Sequence, residues 1–153
     1  MKGVYTLIIN VKKDFKAKVG ALGVVKFKKG IYLYTGSGVG ASTSIENRVK
    51  RHVMKKKKKF WHIDYLLINN NALVIAAVAS KSEKTYECLI NNLMIKHFNG
   101  EFLEGFGSSD CVCKSHLIKI DNEKKLVEII SKLRFVYMQA KLNPFILTFK
   151  AFI

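Results

Sequence analysis

From Val4 to Val11 the chain reads VYTLIINV, a run so dense in β-branched and aromatic residues that it predicts a strand in the core. A core strand needs partner strands at its edges and apolar cover on its faces, so the rest of the sequence is read for a sheet and its layers. Gly23 to Phe27 and Gly30 to Thr35 read as a strand pair joined through Lys28, Lys29 and Gly30 in a tight hairpin, and Ala72 to Ala79 has the length of a buried strand. The charged stretch from Lys12 to Lys18 reads as a turn or loop. GSGVGAS, from Gly36 to Ser42, is too rich in glycine for a helix interior. It lacks the Lys and Ser or Thr that end a Walker loop, and the wider glycine pattern of a dinucleotide site.

Three helices follow from caps and spacing. Thr43 with Glu46 forms a candidate capping box, after which Ile45, Val49 and Val53 make an apolar edge. Arg48, His52 and Lys55 recur on another face of that helix, which therefore packs on one side and presents positive charge on the other. A second helix is predicted from about Glu83 to Phe98, capped by Ser80 or Ser82, with Tyr86, Leu89, Ile90, Leu93 and His97 as its buried stripe and Glu87 on the border. A third runs from about Asn122 to Leu133. Beyond it, an apolar tail from Phe135 to Ile153 is broken by Pro144, and Phe145, Leu147, Phe149 and Phe152 alternate as in a strand. FWHIDYLL, from Phe60 to Leu67, is a short element anchored by Trp61 and Leu66, in which His62 and Asp64 share a face only if the backbone is extended. Strands and helices in this order, over 153 residues, predict one α+β domain.

Twenty-seven Lys and Arg oppose eleven Asp and Glu, a formal charge of +16 that suits the surface to a polyanion such as DNA, with RNA as an alternative. Lys55, Lys56, Lys57, Lys58 and Lys59 stand in succession directly after the basic helix face that carries Arg51, and read as a phosphate-contacting patch. Such contacts give affinity and position without sequence specificity. Three cysteines, no signal-peptide pattern and no apolar stretch of membrane-spanning length lead to the expectation of a reduced, cytoplasmic protein that does not enter a membrane.

Cys111, Cys113 and His116 are zinc-ligand types, and Asp110 could complete a set, but one C-x-C with one histidine falls short of the paired knuckles of a structural site. A cysteine nucleophile would need His116 within reach and a third group to orient it. A distributed set remains: Tyr5, Tyr34, Arg48, His52 and Glu87. These residue types suit phosphodiester cleavage, in which water needs a base, the transition state needs positive charge, and a carboxylate can hold a divalent metal.

GVY at Gly3 to Tyr5, followed by YTG at Tyr34 to Gly36, resembles the paired signatures of the GIY-YIG nuclease superfamily. More closely, YLYTGS, NRVKRH, WHIDYLL, the Glu87–Cys88 pair and GFGSSDCVCKSHL resemble an archaeal and bacterial family related to GIY-YIG domains, whose members are sometimes fused to endonuclease III-like repair enzymes. The resemblance covers residues 3–120 and leaves 121–153 as a C-terminal helix and apolar extension. It implies a small mixed or mainly antiparallel sheet flanked by helices, a DNA endonuclease using Mg2+ or Mn2+, and a DNA-repair protein as partner. Tyr5 matches the tyrosine that helps activate the nucleophile, Tyr34 its support, Arg48 the phosphate-stabilising arginine and Glu87 the metal-binding glutamate. His52 is then an auxiliary polar group, as are His62, Asp64, Ser109, Asp110, Cys111, Cys113 and His116. A catalytically silent nucleic-acid-binding module and a protein-interaction domain stay open as alternatives.

Overall fold

The apolar run at the N-terminus becomes β1 (Gly3–Val11), and in the computed structural model, which describes residues 1–39, 44–107, 115–120 and 125–149, it lies inside a six-stranded antiparallel sheet. The other strands are β4 (Gly30–Gly38), β5 (Ala72–Lys81), β6 (Glu101–Phe102), β7 (Leu117–Ile120) and β8 (Phe145–Thr148), in the order β6-β7-β4-β1-β5-β8. Four helices flank it: α1 (Ile45–Val53), α2 (His62–Leu67), α3 (Glu87–Phe98) and α4 (Leu126–Gln139). The fold is α+β, as the sequence predicts.

β1 is apolar throughout because both of its faces are covered. Tyr5, Leu7, Ile9 and Val11 join Ile45, Val49, Ile63 and Leu66 of α1 and α2, whereas Val4 and Ile8 join Ile90, Met94, Leu133 and Val136 of α3 and α4. Thr6 points into the second layer without loss, because its hydroxyl meets those of Thr35 (3.0 Å) and Tyr137 (2.8 Å).

Several boundaries differ from expectation. Lys12 to Lys18 is not all loop: β2 (Phe15–Lys18) pairs with β3 (Val24–Phe27) in a separate ribbon, so β3 and β4 do not form the expected hairpin. Charge at Lys16 and Lys18 hides the alternating Phe15 and Ala17, and Phe15 packs on Phe27 with ring centroids 5.2 Å apart. β4 continues through Gly36 and Gly38, which were expected in a loop, because they pair with Tyr5 and Gly3 of β1. Ser44 caps α1 by accepting from the Asn47 N–H (3.1 Å); Thr43 lies outside the described residues.

The helix predicted from Glu83 starts at Glu87, since the Ser82 hydroxyl takes the Lys84 N–H in a local turn. Its buried stripe is Ile90, Asn91, Met94 and Phe98, and Leu89 is exposed. That helix is apolar on most sides, so spacing alone fits more than one stripe. α4 ends at Gln139, beyond the expected Leu133, as Val136 and Tyr137 pack beneath the sheet. The tail past Pro144 adds β8 to the edge of its own sheet, Phe145 opposite Ala79. No helix among the described residues is long and apolar enough to cross a membrane.

Candidate active site

Register brings the two tyrosines together. Tyr5 lies opposite Gly36 and Leu7 opposite Tyr34, so both phenols occupy the face of the sheet that carries α1. The Tyr5 ring passes over Gly36 so closely that a Cβ there would stand 2.6 Å from the hydroxyl oxygen. The glycine of the YTG motif is thus space for the tyrosine of the GVY motif.

α1 lays Arg48 and His52 against that pair. Tyr5 Oη and His52 Nε2 are 2.7 Å apart, and the Tyr34 and His52 rings meet edge to face at 5.9 Å. Burial raises the Tyr5 hydroxyl well above its ordinary value, although the Arg48 guanidinium pulls the other way. Burial likewise lowers His52, with Lys57 adding to the effect, to about 3. Both groups are therefore neutral near pH 7. The hydroxyl donates to Nε2 and leaves the ring proton on Nδ1, an assignment made from the hydrogen bond. Nδ1 of His52 and Nε of Arg48 are both buried without a hydrogen-bond partner among the described residues. Two such donors in one place call for an acceptor-rich ligand or ordered water.

A depressed histidine has a stability consequence. Between 6.5 and about 3 the unfolded chain binds a proton at His52 that the folded chain refuses, so stability from this site is full above pH 6.5 and is lost as pH falls. Denaturant unfolding at pH 7, 6 and 5 should show the native chain losing about 0.7 kcal/mol more than His52→Gln over the first unit and about 1.2 kcal/mol more over the second. Equal slopes would contradict the burial of a neutral imidazole.

The cavity, about 240 Å³, is lined by Tyr5, Tyr34, Arg48, His52, Glu87 and His116, with Trp61 on its rim side. Glu87 reaches it as the first residue of α3, so the late helix start sets its position. His116 arrives just before β7, its N–H bonded to Phe106 O (2.8 Å) and its carbonyl accepting from Thr35 N (3.2 Å). Burial lowers its proton affinity, against the pull of Glu87. Its Nε2 is 3.7 Å from the sulfur of Cys88. Sequence reasoning placed His116 with cysteines, because only the pairing of β7 with β4 brings it beside Tyr34.

Trp61 was read as a packing anchor, yet it also shapes the site. The guanidinium carbons of Arg48 and Arg51 lie 4.7 and 4.6 Å from its ring centroid. Arg51 is fixed further by Asp64, donating from Nη1 to Oδ1 (2.7 Å) and from Nη2 to Oδ2 (2.8 Å). Asp64 Oδ2 also accepts from the N–H groups of Phe60 and Trp61. Burial opposes ionisation of Asp64, but these bonds outweigh it and hold the carboxyl below its ordinary range. Asp64 and His62 lie on a helix and diverge, and neither lines the cavity. His62 Nδ1 instead accepts from Gly107 N (2.9 Å), tying α2 to the turn that ends at Gly107.

Of the five consecutive lysines read as a phosphate-contacting patch, two are engaged within the fold. Lys55 turns inward to the carbonyls of Leu67, Asn69 and Ala72, and Lys57 to those of Arg51 (3.0 Å) and His52 (2.9 Å), where they satisfy helix C-termini. Burial lowers both ammonium groups, Lys57 to about 8. Lys56, Lys58 and Lys59 remain exposed. Ser109, Asp110, Cys111 and Cys113 lie outside the described residues; among those described, no cluster of three or more His, Cys, Asp or Glu side chains could hold a metal.

Fold and cavity together define an α+β domain with a polar cavity, lined by one arginine and one glutamate among the described residues, beside an exposed basic segment. The chain belongs to the family described as a domain of unknown function, DUF123, whose profile matches residues 4–137 and so takes in α4 as well as the site. Comparison with curated proteins and with solved structures returns no match.

Proposed function

We propose that the protein is a divalent-metal-dependent endonuclease hydrolysing DNA phosphodiester bonds, in keeping with the resemblance to GIY-YIG nucleases. The observation that carries this reading is the meeting of Tyr5, Tyr34, Arg48, His52 and Glu87, from four separate elements, around one cavity, two of whose lining residues, Arg48 and His52, each keep a buried nitrogen without a partner among the described residues. A phosphate offers acceptors to both nitrogens and charge to Arg48.

Among the described residues Glu87 is the one carboxylate on the lining, and it would hold Mg2+ or Mn2+, ions that take few protein oxygens. Such an ion, when bound, supplies charge stabilisation at the departing oxygen. Arg48 binds the phosphate and Trp61 keeps its guanidinium in plane. Tyr5 Oη takes a proton from the attacking water as its own proton passes to His52 Nε2. The water oxygen bonds to phosphorus, the bond to the leaving oxygen breaks, and that oxygen takes a proton from solvent. Phosphate charge beside the imidazole favours its protonated form, so the relay operates in the complex although His52 is held neutral in the free protein.

The test is cleavage of branched, damaged and single-stranded DNA, with matched RNA, in Mg2+ or Mn2+. Glu87→Gln should lose about 100-fold or more in rate at unchanged thermal stability. Undiminished cleavage by that variant would reject this site. Salt-sensitive binding without turnover of any substrate would replace the nuclease with a binding module.

A further inference from the structure

Phe60 is 78% exposed, the most open of the large apolar side chains described, and it stands in a segment whose outward neighbours are Lys56, Lys58 and Lys59. Solvent exposure of a single aromatic is ordinary; its fixation is not. The Phe60 N–H is held by Asp64 Oδ2 (2.8 Å), the Lys58 carbonyl accepts from Arg51 Nη2 (2.9 Å), and Lys57 is drawn inward onto the end of α1. The backbone on both sides of Phe60 is thus tied to α1 and α2, so only the two side-chain torsions of the ring remain to be ordered at the moment of binding. Its ring meets Trp61 edge-on at 5.4 Å, and Trp61 lines the cavity. One face of Phe60 is therefore an apolar platform flanked by cations, immediately beside the site where a phosphate is to bind.

We propose that Phe60 is a stacking platform for an unpaired base, flanked by Lys58 and Lys59 as phosphate contacts, and that the substrate class is nucleic acid with a single-stranded segment at the cleavage position. This rests on the nucleic-acid reading of the cavity. Every base has an apolar π-face that can lie on a phenyl ring, whereas a base inside a duplex already has both faces covered. The lysines supply attraction that any strand would feel; the aromatic adds what only an unstacked base can use. A folded protein partner would also cover Phe60, but it gives no reason for the exposed lysines beside it, Lys56 and Lys58 in solvent and Lys59 lying over the Tyr65 ring at 5.0 Å.

The experiment measures binding of a fluorescein-labelled DNA strand of about a dozen nucleotides, within the footprint of small single-strand binders, and of its blunt duplex, in EDTA. Native protein should prefer the single strand. Phe60→Ala, which keeps the N–H bonded to Asp64, should weaken single-strand binding about tenfold and duplex binding less than about twofold. Phe60→Trp should retain the preference and Phe60→Leu should not. Joint replacement of Lys58 and Lys59 by alanine should weaken both ligands and flatten the salt dependence. A native preference for duplex, equal losses on both ligands in Phe60→Ala, no loss on either, full rescue by Leu, or binding to phosphatidylserine vesicles in place of oligonucleotide would each overturn the platform. Because no metal is present, a protein that never cleaves still reports on Phe60. Conversely, Phe60→Ala with native cleavage and affinity would sink the platform and leave the nuclease reading standing.

Discussion

Asp64→Ala should cost about 3 kcal/mol of folding stability, the low end of what is lost when a buried ion pair loses one partner. The carboxylate is fully buried and takes four hydrogen bonds, two from Arg51 and one each from the N–H groups of Phe60 and Trp61. Removing it leaves two backbone donors unmet and frees the segment that joins α1 to α2. The estimate stays low because the Arg51 side chain is 28% exposed and can rehydrate. For a domain of this size the loss is roughly 6 to 12 °C in Tm. Asp64→Asn, which keeps acceptors for the backbone, should lose about half as much. Because the folded carboxyl is held below its ordinary value, the contribution is present above the unfolded value of 3.8 and disappears as pH falls through the folded one. Calorimetry at neutral pH tests the magnitude, and a shift of Asp64→Ala below 2 °C, roughly within the range of ordinary surface substitutions, would contradict the arrangement.

Arg48→Ala should lower DNA cleavage by about 100- to 1000-fold, the usual result of removing one donor aimed at developing transition-state charge. Folding should be spared. Its Nε is buried without a partner among the described residues, so truncation relieves a desolvated donor, which offsets the lost contact with Trp61, and Tm should change little. Arg48→Lys should recover little, because a flexible ammonium neither stacks on Trp61 nor presents a planar fork. Rates from single-turnover cleavage, with Tm in parallel, decide the matter. A fully active Arg48→Lys would show that a point charge suffices, and a fully active Arg48→Ala would move the chemistry elsewhere.

The legible parts of the site were those carried by local pattern. Arg48 and His52 share a helix face because they are four residues apart, and that spacing holds in α1. The apolar run of β1 and the strand of β5 were read with nearly their observed limits. Glu87 was read as a boundary residue of a helix interior, but a local turn at Ser82 moved the helix start and made it the first helical residue. The lysines show the opposite failure. A run of identical residues has no internal contrast, so nothing in it distinguishes Lys55 and Lys57, which meet helix carbonyls, from Lys56, Lys58 and Lys59, which meet solvent.

Composition and local spacing were enough for an α+β domain around a β-rich core, an excess of positive charge and a set of candidate residues ordered along the chain. Those properties depend on composition and on neighbours within one helical turn or one strand. Tertiary structure alone decided that Tyr5 crosses Gly36, that His116 joins the site through β7, and that the basic segment carries a fixed aromatic at its end. The first two depend on register between strands, and the third on hydrogen bonds that tie the segment to α1 and α2; the contacts that select one register are shared among side chains whose spacing along the chain carries no period.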